Sequence, residues 1–293
     1  MNRNHLAIFH AVAEAGSFSR GADRLLVSQP AVSKQVGELE ASLGVKLFDR
    51  LPRGIRLTEA GEVLAGFARR ILDLEEQAER AIAELRGLAR GRLAIGASTT
   101  IGAYLLPEIL GQFRRQHPGV ELHLEIGNTE DIQHQLVEGR LDLGLTEGLV
   151  EDDRLAAEVF REDDLVAIAP PGHPILAKRR VTAATLAREP LILREPGSGT
   201  RAVVERAFAG KGIALQPVMS MGSTEAIKRA VAAGVGLAIV SELTVKLELE
   251  SGRLTVVSLS DLTIRRPLHL LRLRGRDEPA AVKEFLGMMR RGK

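Results

Sequence analysis

The sequence predicts an α/β fold with an all-α N-terminal part, and three observations carry that prediction. Apolar residues recur at helical spacing between Leu6 and Leu43. A stripe whose intervals alternate four and three residues follows, from Phe67 to Leu88. Beyond Gly91, short apolar strands alternate with amphipathic helices, the pattern of parallel pairing in α/β layers. A chain of 293 residues is long enough for two or three units with cores of their own.

Leu6, Phe9 and Val12 define a first helix that ends near Gly16. A short second helix, about Ser19 to Leu26, buries Ala22, Leu25 and Leu26. Ser28 stands where an N-cap is needed, and Pro30 falls in the first turn, where a missing N–H costs nothing. Ala31, Val32, Val36, Leu39 and Leu43 supply the inward face of this third helix, with Gly44 as its stop. Leu47-Phe48, a turn at Pro52-Arg53-Gly54, and Ile55 to Leu57 read as a β-hairpin wing. Thr58 caps a long helix from Glu59. Its seam is Phe67, Ile71, Leu74, Ala78, Ala81, Leu85 and Leu88, a heptad pattern that a second copy of the chain is expected to cover, the alternative being packing against its own domain.

The α/β part begins with strand Leu93–Gly96, then a helix carrying Leu105, Leu106, Ile109, Leu110 and Phe113. Strand Val120–Ile126, a helix to Gly139 and strand Leu141–Leu145 complete one set. A second set runs from about Asp164, with strands Leu165–Ala169, Leu191–Leu193, Pro217–Met219 and Leu237–Val240 and helices after Thr200 and from Thr224. Pro267–Leu273 is a last strand, followed by a helix from about Glu278. The expected divisions are 1–58, 59–90 and 91–293. The last comprises one lobe over about 91–162 and 267–293, and a second over about 163–266.

Two short helices joined by a turn, the second opened by Ser28 and Pro30 and carrying polar side chains, form a helix-turn-helix suited to a DNA major groove. Gln bonds bidentately to adenine, Lys to guanine, and Ser to several base edges. Gln29, Ser33, Lys34 and Gln35 occupy the first turns of the recognition helix, and the i, i+4 spacing sets Gln29 and Ser33 on one face. Pro30 offers an apolar contact to a thymine methyl. Ser28 is chiefly a cap. Ser17, Arg20, Arg50, Arg53 and Arg56 suit the phosphate backbone, which positions without specifying sequence. Asp49 is the lone acid between Leu47 and Leu57, so this segment is basic although the whole chain carries only +2.

The segments Phe9-x-x-Val12-x-Glu14-x-Gly16-Ser17-Phe18-Ser19, Ser28-Gln29-Pro30-Ala31-Val32-Ser33-x-Gln35 and Leu39-Glu40-x-x-Leu43-Gly44-x-x-Leu47-Phe48-x-Arg50, with Thr58-Glu59-Ala60-Gly61, resemble the DNA-binding signature of LysR-type transcriptional regulators. Where that pattern often has Ala-Ala, this chain has Gly21-Ala22; a small residue is kept, so the packing is expected to survive. The resemblance extends over the whole chain. It implies a dimerising linker helix and a two-lobed effector domain of periplasmic-binding-protein type. It also implies a homo-oligomer, a dimer or, as in similar proteins, a tetramer. Ala97 to Pro107, Gly144 to Gly148 and Arg194 to Arg201 look like members that regulate sulfur assimilation, sulfite reduction or carbon-dioxide fixation. Their implied effectors are sulfite, sulfate or a phosphorylated metabolite.

Candidate effector contacts follow strand ends and open helices, where backbone N–H groups favour anions. They are Ser98, Thr99 and Thr100, then Thr146, then Gly199, Thr200 and Arg201, and finally Ser223 and Thr224. Glu147 conflicts with an anion there unless it turns away or pairs with a cation such as Arg201. The reading is a DNA-binding regulator with a small-molecule effector; one alternative is a constitutive DNA binder whose lobes serve only oligomerisation, and a remote one is an enzyme acting on a small anionic substrate. Catalysis is not expected: Gly197-Ser198-Gly199-Thr200 lacks the Walker ending, and Glu195 to Gly199 lacks the nucleophile-elbow spacing. Seven histidines show no metal-ligand spacing, and the absence of cysteine excludes thiolate sites and disulfides within the chain. No cofactor or metal is expected. No apolar run reaches the ~20 residues that span a bilayer, and no signal-peptide pattern opens the chain, so no membrane partner and a cytoplasmic location are expected.

Overall fold

The structure is a computed structural model that describes residues 2–51, 54–84, 91–148, 150 and 152–291. The chain divides into two compact units, Met1–Ile82 and Ala83–Lys293.

In the first unit, helices α1 (Arg3–Ala15), α2 (Phe18–Leu25) and α3 (Gln29–Leu43) precede strands β1 (Phe48–Arg50) and β2 (Ile55–Leu57) and the long helix α4 (Glu59–Glu84). The Asn2 side chain caps α1 by accepting the His5 N–H at 2.8 Å, and Gly16 ends the helix at φ 59°. Phe9, Val12, Val32, Leu39 and Leu47 meet in the core with Phe48 and Ala68. The Thr58 hydroxyl caps α4 by accepting the Gly61 N–H at 3.0 Å, and it donates to the Lys46 carbonyl. β1 and β2 pair antiparallel as the wing.

Two expectations need correction, and a third gains a physical reason. Leu26, expected to be buried, is 93% exposed: it closes α2 in the left-handed region at φ 54°, which swings its side chain outward. Leu43, expected on the inward face of α3, is exposed, because α3 ends beside it and the chain turns away at Gly44. Gly21 is more than a generic small residue. A Cβ there would lie 2.9 Å from Val12 Cγ2 and 3.0 Å from Val12 Cα, so α1 and α2 cross too closely for a methyl group.

Glu40 pins the end of α3 to the wing. Its buried carboxylate accepts the Leu47 N–H at 2.8 Å, the Phe48 N–H at 3.4 Å and the Lys46 ammonium at 2.6 Å. Burial pushes the carboxyl pKa up, but these donors together outweigh it and hold the group below its ordinary range.

The second unit holds one continuous sheet. Its elements are β3 (Gly91–Ser98), α5 (Thr99–Tyr104), α6 (Leu106–Gln116), β4 (Val120–Gly127), α7 (Thr129–Val137), β5 (Leu143–Glu147), β6 (Leu155–Ala169), α8 (Ala183–Leu186), β7 (Leu191–Arg194), α9 (Gly199–Ala209), β8 (Met219–Met221), α10 (Thr224–Ala232), β9 (Leu237–Ser241), α11 (Lys246–Glu250), β10 (Thr255–Val257), β11 (Ile264–Leu273) and α12 (Ala280–Arg291). The strand order is β4-β3-β5-β11-β6-β9-β7-β8, with β10 also on β6. β3 runs parallel to β4 and β5 in one lobe, and β7 parallel to β8 and β9 in the other, as the strand–helix alternation predicts. Between them lie β6 and β11, antiparallel to each other over ten residue pairs. Each serves both lobes: Leu268 and Leu270 pack with β3 and α12, while Ile264 packs with β6 and β7.

Both central strands are longer than expected. Leu165–Ala169 is only the end of β6, and Pro267–Leu273 extends back to Ile264. Strand Leu141–Leu145 is displaced to Leu143–Glu147, a six-residue helix α5 precedes α6, and the last helix starts at Ala280.

Glu40 gives the first unit a defined acid response. A carboxyl group held below its ordinary value stabilises the fold above that value and loses the contribution as pH falls through its folded pKa. Thermal unfolding followed from pH 6 to pH 3 should therefore show a downward slope in the native chain that is shallower in the Glu40→Gln variant. Parallel slopes would remove Glu40 from this role.

Candidate functional site

The recognition helix presents its N-terminal turns to solvent while Val32, Val36 and Leu39 anchor the other side. Gln29 Nε2 donates to Ser33 Oγ at 3.0 Å, which aligns the two side chains on one exposed face, as their spacing predicts. Pro30 and Lys34 are exposed, and Lys34 stands 3.9 Å from Glu38. Ser28 occupies the N-cap position with extended backbone, yet its hydroxyl makes no capping bond. Its expected role as chiefly a cap is corrected. Gln35 also differs from expectation: its Oε1 accepts from Asn4 Nδ2 at 2.7 Å, so α1 holds part of its hydrogen-bonding capacity. Ser17 caps α2 through the Arg20 N–H at 3.5 Å, and the Arg20 side chain is exposed. Arg56 pairs with Asp49 across the wing at 3.4 Å, both exposed. Arg53 and the side chain of Arg50 lie outside the described residues. Leu26 and Val27, exposed in the turn before α3, are apolar neighbours of this face.

Along α4, Phe67 and Leu74 are 56% and 65% exposed, and Ile71 and Ala78 are exposed with them. Val63 joins this stripe, and a hollow of about 670 Å³ continues it between Leu43, Val45, Leu47, Phe67 and Ile71. Leu43 is thus exposed as part of an apolar surface. The side chain of Ala81, and Leu85 and Leu88 altogether, lie outside the described residues.

In the second unit, a buried cluster forms where both lobes meet the central strands. Arg266 on β11 is fully buried. Asp163 is its direct partner across the β6–β11 ladder, and accepts from Arg266 Nε and Nη2 at 2.7 Å each. Arg266 Nη1 donates to Thr200 Oγ1 at 2.7 Å and lies 3.1 Å from Glu147 Oε1, and Nη2 donates to Thr100 Oγ1 at 3.3 Å. Thr200 passes a hydrogen bond on to Glu147 Oε1 at 3.3 Å. Ser98 Oγ donates to the other Glu147 oxygen. Ser241 Oγ donates to Asp163 at 2.8 Å.

Ser98, Thr100 and Thr200 are therefore brought together, from α5 and its approach in one lobe and α9 in the other. Thr146, next to Glu147 in sequence, is fully buried, and its hydroxyl has no hydrogen-bond partner. Thr99 is half-buried in the first turn of α5. The cation that answers Glu147 is Arg266, in place of the expected Arg201. Arg201 bonds instead to Glu205, the Arg194 carbonyl and Ser220. It lines a separate hollow of about 600 Å³ with Glu130, Asp152 and Glu205, whose acids disfavour an anion. Gly199 serves a contact between backbones: a Cβ there would stand 2.0 Å from the Glu147 carbonyl oxygen and 2.6 Å from Thr129 Oγ1. Ser223 and Thr224 stay apart from the cluster. Ser223 caps α10 through the Ala226 N–H, and Thr224 accepts from buried Arg194.

Arg266, Asp163 and Ser241 were missed by sequence reasoning, although a signal existed. Arg266 alternates in phase with Ile264, Leu268 and Leu270, and Asp163 with Leu165 and Ala167, so both occupy inward positions of their strands. Among the described residues there is no group of three or more potential metal-ligating side chains, and no helix long and apolar enough to cross a membrane.

Comparison with known proteins agrees with this architecture. Residues 3–62 match the family of bacterial regulatory helix-turn-helix proteins of the lysR type, and residues 86–293 match the LysR substrate binding domain. A RuBisCO operon transcriptional regulator of Allochromatium vinosum is 39% identical over 284 residues, covering 96% of this chain and 94% of that protein. The crystal structure of full-length CbnR complexed with target DNA aligns with a TM-score of 0.73 at 25% identity, over 100% of both chains. The Synechocystis PCC6803 CcmR regulatory domain in complex with 2-PG aligns with a TM-score of 0.65 at 32% identity, over 70% of this chain and 98% of that one. The chain belongs to the LysR family of transcriptional regulators, and its two units are a DNA-binding helix-turn-helix domain and a two-lobed effector-binding domain.

The close approach at Gly199 is directly testable. Gly199→Ala should destabilise the chain by roughly 1–3 kcal/mol, since a backbone carbonyl cannot yield as a side chain would. Gly111→Ala within α6, where the nearest atom to a new Cβ is Arg115 Nη1 at 3.7 Å, should be neutral or stabilising. Urea unfolding that found the two variants alike would refute the contact.

Proposed function

We propose that this LysR-family regulator reads a DNA operator with Gln29, Ser33 and Lys34, aided by Pro30, and answers to a small phosphate-bearing or oxyanionic effector held at the Arg266 cluster. The observation that carries the second half is convergence. Two of the hydroxyl residues singled out from sequence, Thr100 and Thr200, accept from one buried guanidinium and come from different lobes, and a third, Ser98, donates to the Glu147 carboxylate beside it. Hydroxyl and guanidinium donors are the groups that bind phosphate and carboxylate. The relative crystallised with 2-PG, 2-phosphoglycolate, supports that ligand class. The relative named for a RuBisCO operon supports target genes in carbon-dioxide fixation.

For the DNA-binding unit, the exposed Gln29–Ser33 pair supports base reading. Arg20 and Arg56 suit backbone contact, and Gln35, shared with Asn4, serves more to fix the helix. The exposed stripe of α4, at heptad spacing from Phe67 to Ala78, supports pairing with a second copy of the chain. A DNA partner sets the site of action in the cytoplasm.

Two experiments test these readings. Gln29→Ala should lower affinity for the operator duplex by ~1–3 kcal/mol in fluorescence anisotropy while leaving a scrambled duplex nearly unaffected. An equal loss on both duplexes would exclude base reading. Calorimetric titration with 2-phosphoglycolate, sulfate and sulfite should find at least one ligand whose affinity falls about tenfold or more in both Thr100→Ala and Thr200→Ala, the size expected when a charge-assisted hydrogen bond is lost. An affinity indifferent to both substitutions would move the effector site elsewhere. Absence of any ligand response would favour a constitutive DNA binder.

A further inference from the structure

We infer that Glu147 is a built-in stand-in for the effector: its carboxylate occupies the donors that an anionic ligand would use, and ligand binding proceeds by evicting it. The inference rests on the cleft reading above, and adds to it the group that must leave.

The donors that face Glu147 are engaged by it. Ser98 donates to one Glu147 oxygen, and Thr200 and Arg266 face the other at 3.3 and 3.1 Å. The end of β3, the start of α9 and strand β11 thus converge on one carboxylate, much as a binding site converges on a ligand. None of this is open to solvent: Ser98, Glu147, Thr200 and Arg266 are at most 5% exposed. An external anion finds Ser98, Thr200 and Arg266 already turned on Glu147, and it meets a carboxylate whose repulsion at contact distance is strong in a buried site. It can enter only where a carboxylate departs.

Two carboxylates flank Arg266, and they are not equivalent. Asp163 lies directly opposite Arg266 in the ladder, takes two of its N–H groups, and also accepts from Ser241. Its short side chain keeps it there. Glu147 holds Arg266 through one contact, from a diagonal position, since Leu268 is its direct partner on β11. Its main chain is clamped: the carbonyl accepts from Thr129 Oγ1 at 3.0 Å and abuts Gly199. The long Glu147 side chain is therefore the part that can swing away while the strand stays in place. Exchange of this carboxylate for a ligand's phosphate or carboxylate conserves the charge around Arg266.

The test is calorimetric titration of the full chain with 2-phosphoglycolate, sulfate and inorganic phosphate at matched ionic strength. Glu147→Gln keeps the shape and removes the charge, so the best of these probes should bind at least tenfold tighter than it binds the native chain. Glu147→Asp keeps the charge on a side chain too short to reach Ser98 and Thr200 together, and should give a smaller gain; it also carries the test if the Gln variant fails to fold. Thr200→Ala should weaken binding in every background. Equal or weaker binding by both Glu147 variants, with Thr200→Ala still weakening it, overturns the stand-in role and leaves the cleft reading intact. Indifference to Thr200→Ala overturns both. Failure of both Glu147 variants to bind any of the three probes overturns the stand-in role as well.

Discussion

A guanidinium sealed from water organises the effector-binding unit. Burying a charge is costly unless partners are held in close geometry, and removing one partner from such a pair typically costs ~3–5 kcal/mol. Arg266 meets that requirement with Asp163 across the ladder, Glu147 on the diagonal, and the hydroxyls of Thr100 and Thr200. The two carboxylates exceed the single cation in charge, and Ser98, Ser241 and Thr200 offset the excess by donating to them. Each partner comes from a different element, so satisfying one arginine fixes α5, β5, β6, β9, α9 and β11 at a common point. The bare contacts at Gly199 and Gly148 follow from the same demand. The end of β5 and the start of α9 approach until only glycine fits: a Cβ on Gly148 would lie 2.9 Å from Gly199 Cα.

Much of this was legible in the sequence, and the missing parts share a cause. Strand–helix alternation gave the parallel lobes, and hydroxyls after strand ends gave Ser98, Thr100 and Thr200. Apolar runs alone place the starts of the central strands at Leu165 and Pro267. The true strands continue through charged residues, and those charges, Asp163 and Arg266, are the two that face each other. A buried ion pair looks like the end of a strand when only apolar residues are counted. Arg201 was the cation chosen for Glu147 because it follows Thr200 in the chain. Helical geometry sends neighbouring side chains in different directions, and Arg201 pairs along its own helix with Glu205.

The DNA-binding unit was read more fully because its signals are local. The cap at Thr58 and the stops at Gly16 and Gly44 bound its helices within a residue or two. What local pattern could not supply is packing between helices: the partnership of Gln35 with Asn4, the zero clearance at Gly21, and the outward turn of Leu26. Leu43 is instructive, because its helical phase is inward and its surroundings are not. With Val45, Val63 and Phe67 it forms apolar surface that one copy of the chain leaves uncovered. Burying such a surface against a second copy would be favourable at about 25 cal/mol per Å², which supports the proposed pairing.

An effector shifts a regulator only by interacting differently with two of its states. If the ligand merely filled an empty, preformed cleft, its binding energy would report affinity and little else. Displacement of an internal carboxylate changes that. The anion replaces Glu147 at Arg266 with like charge, so the electrostatic gain is small, and the apparent affinity is reduced by the cost of eviction. What differs between the two states is the tether. Without ligand, one side chain of β5 joins the approach to α5 in one lobe to α9 in the other; with ligand, that bridge passes through a molecule free to leave. The strength of the signal is then set by how differently the carboxylate and the ligand hold the two lobes, and Arg266, fixed by Asp163 in both cases, is the common point against which the exchange takes place.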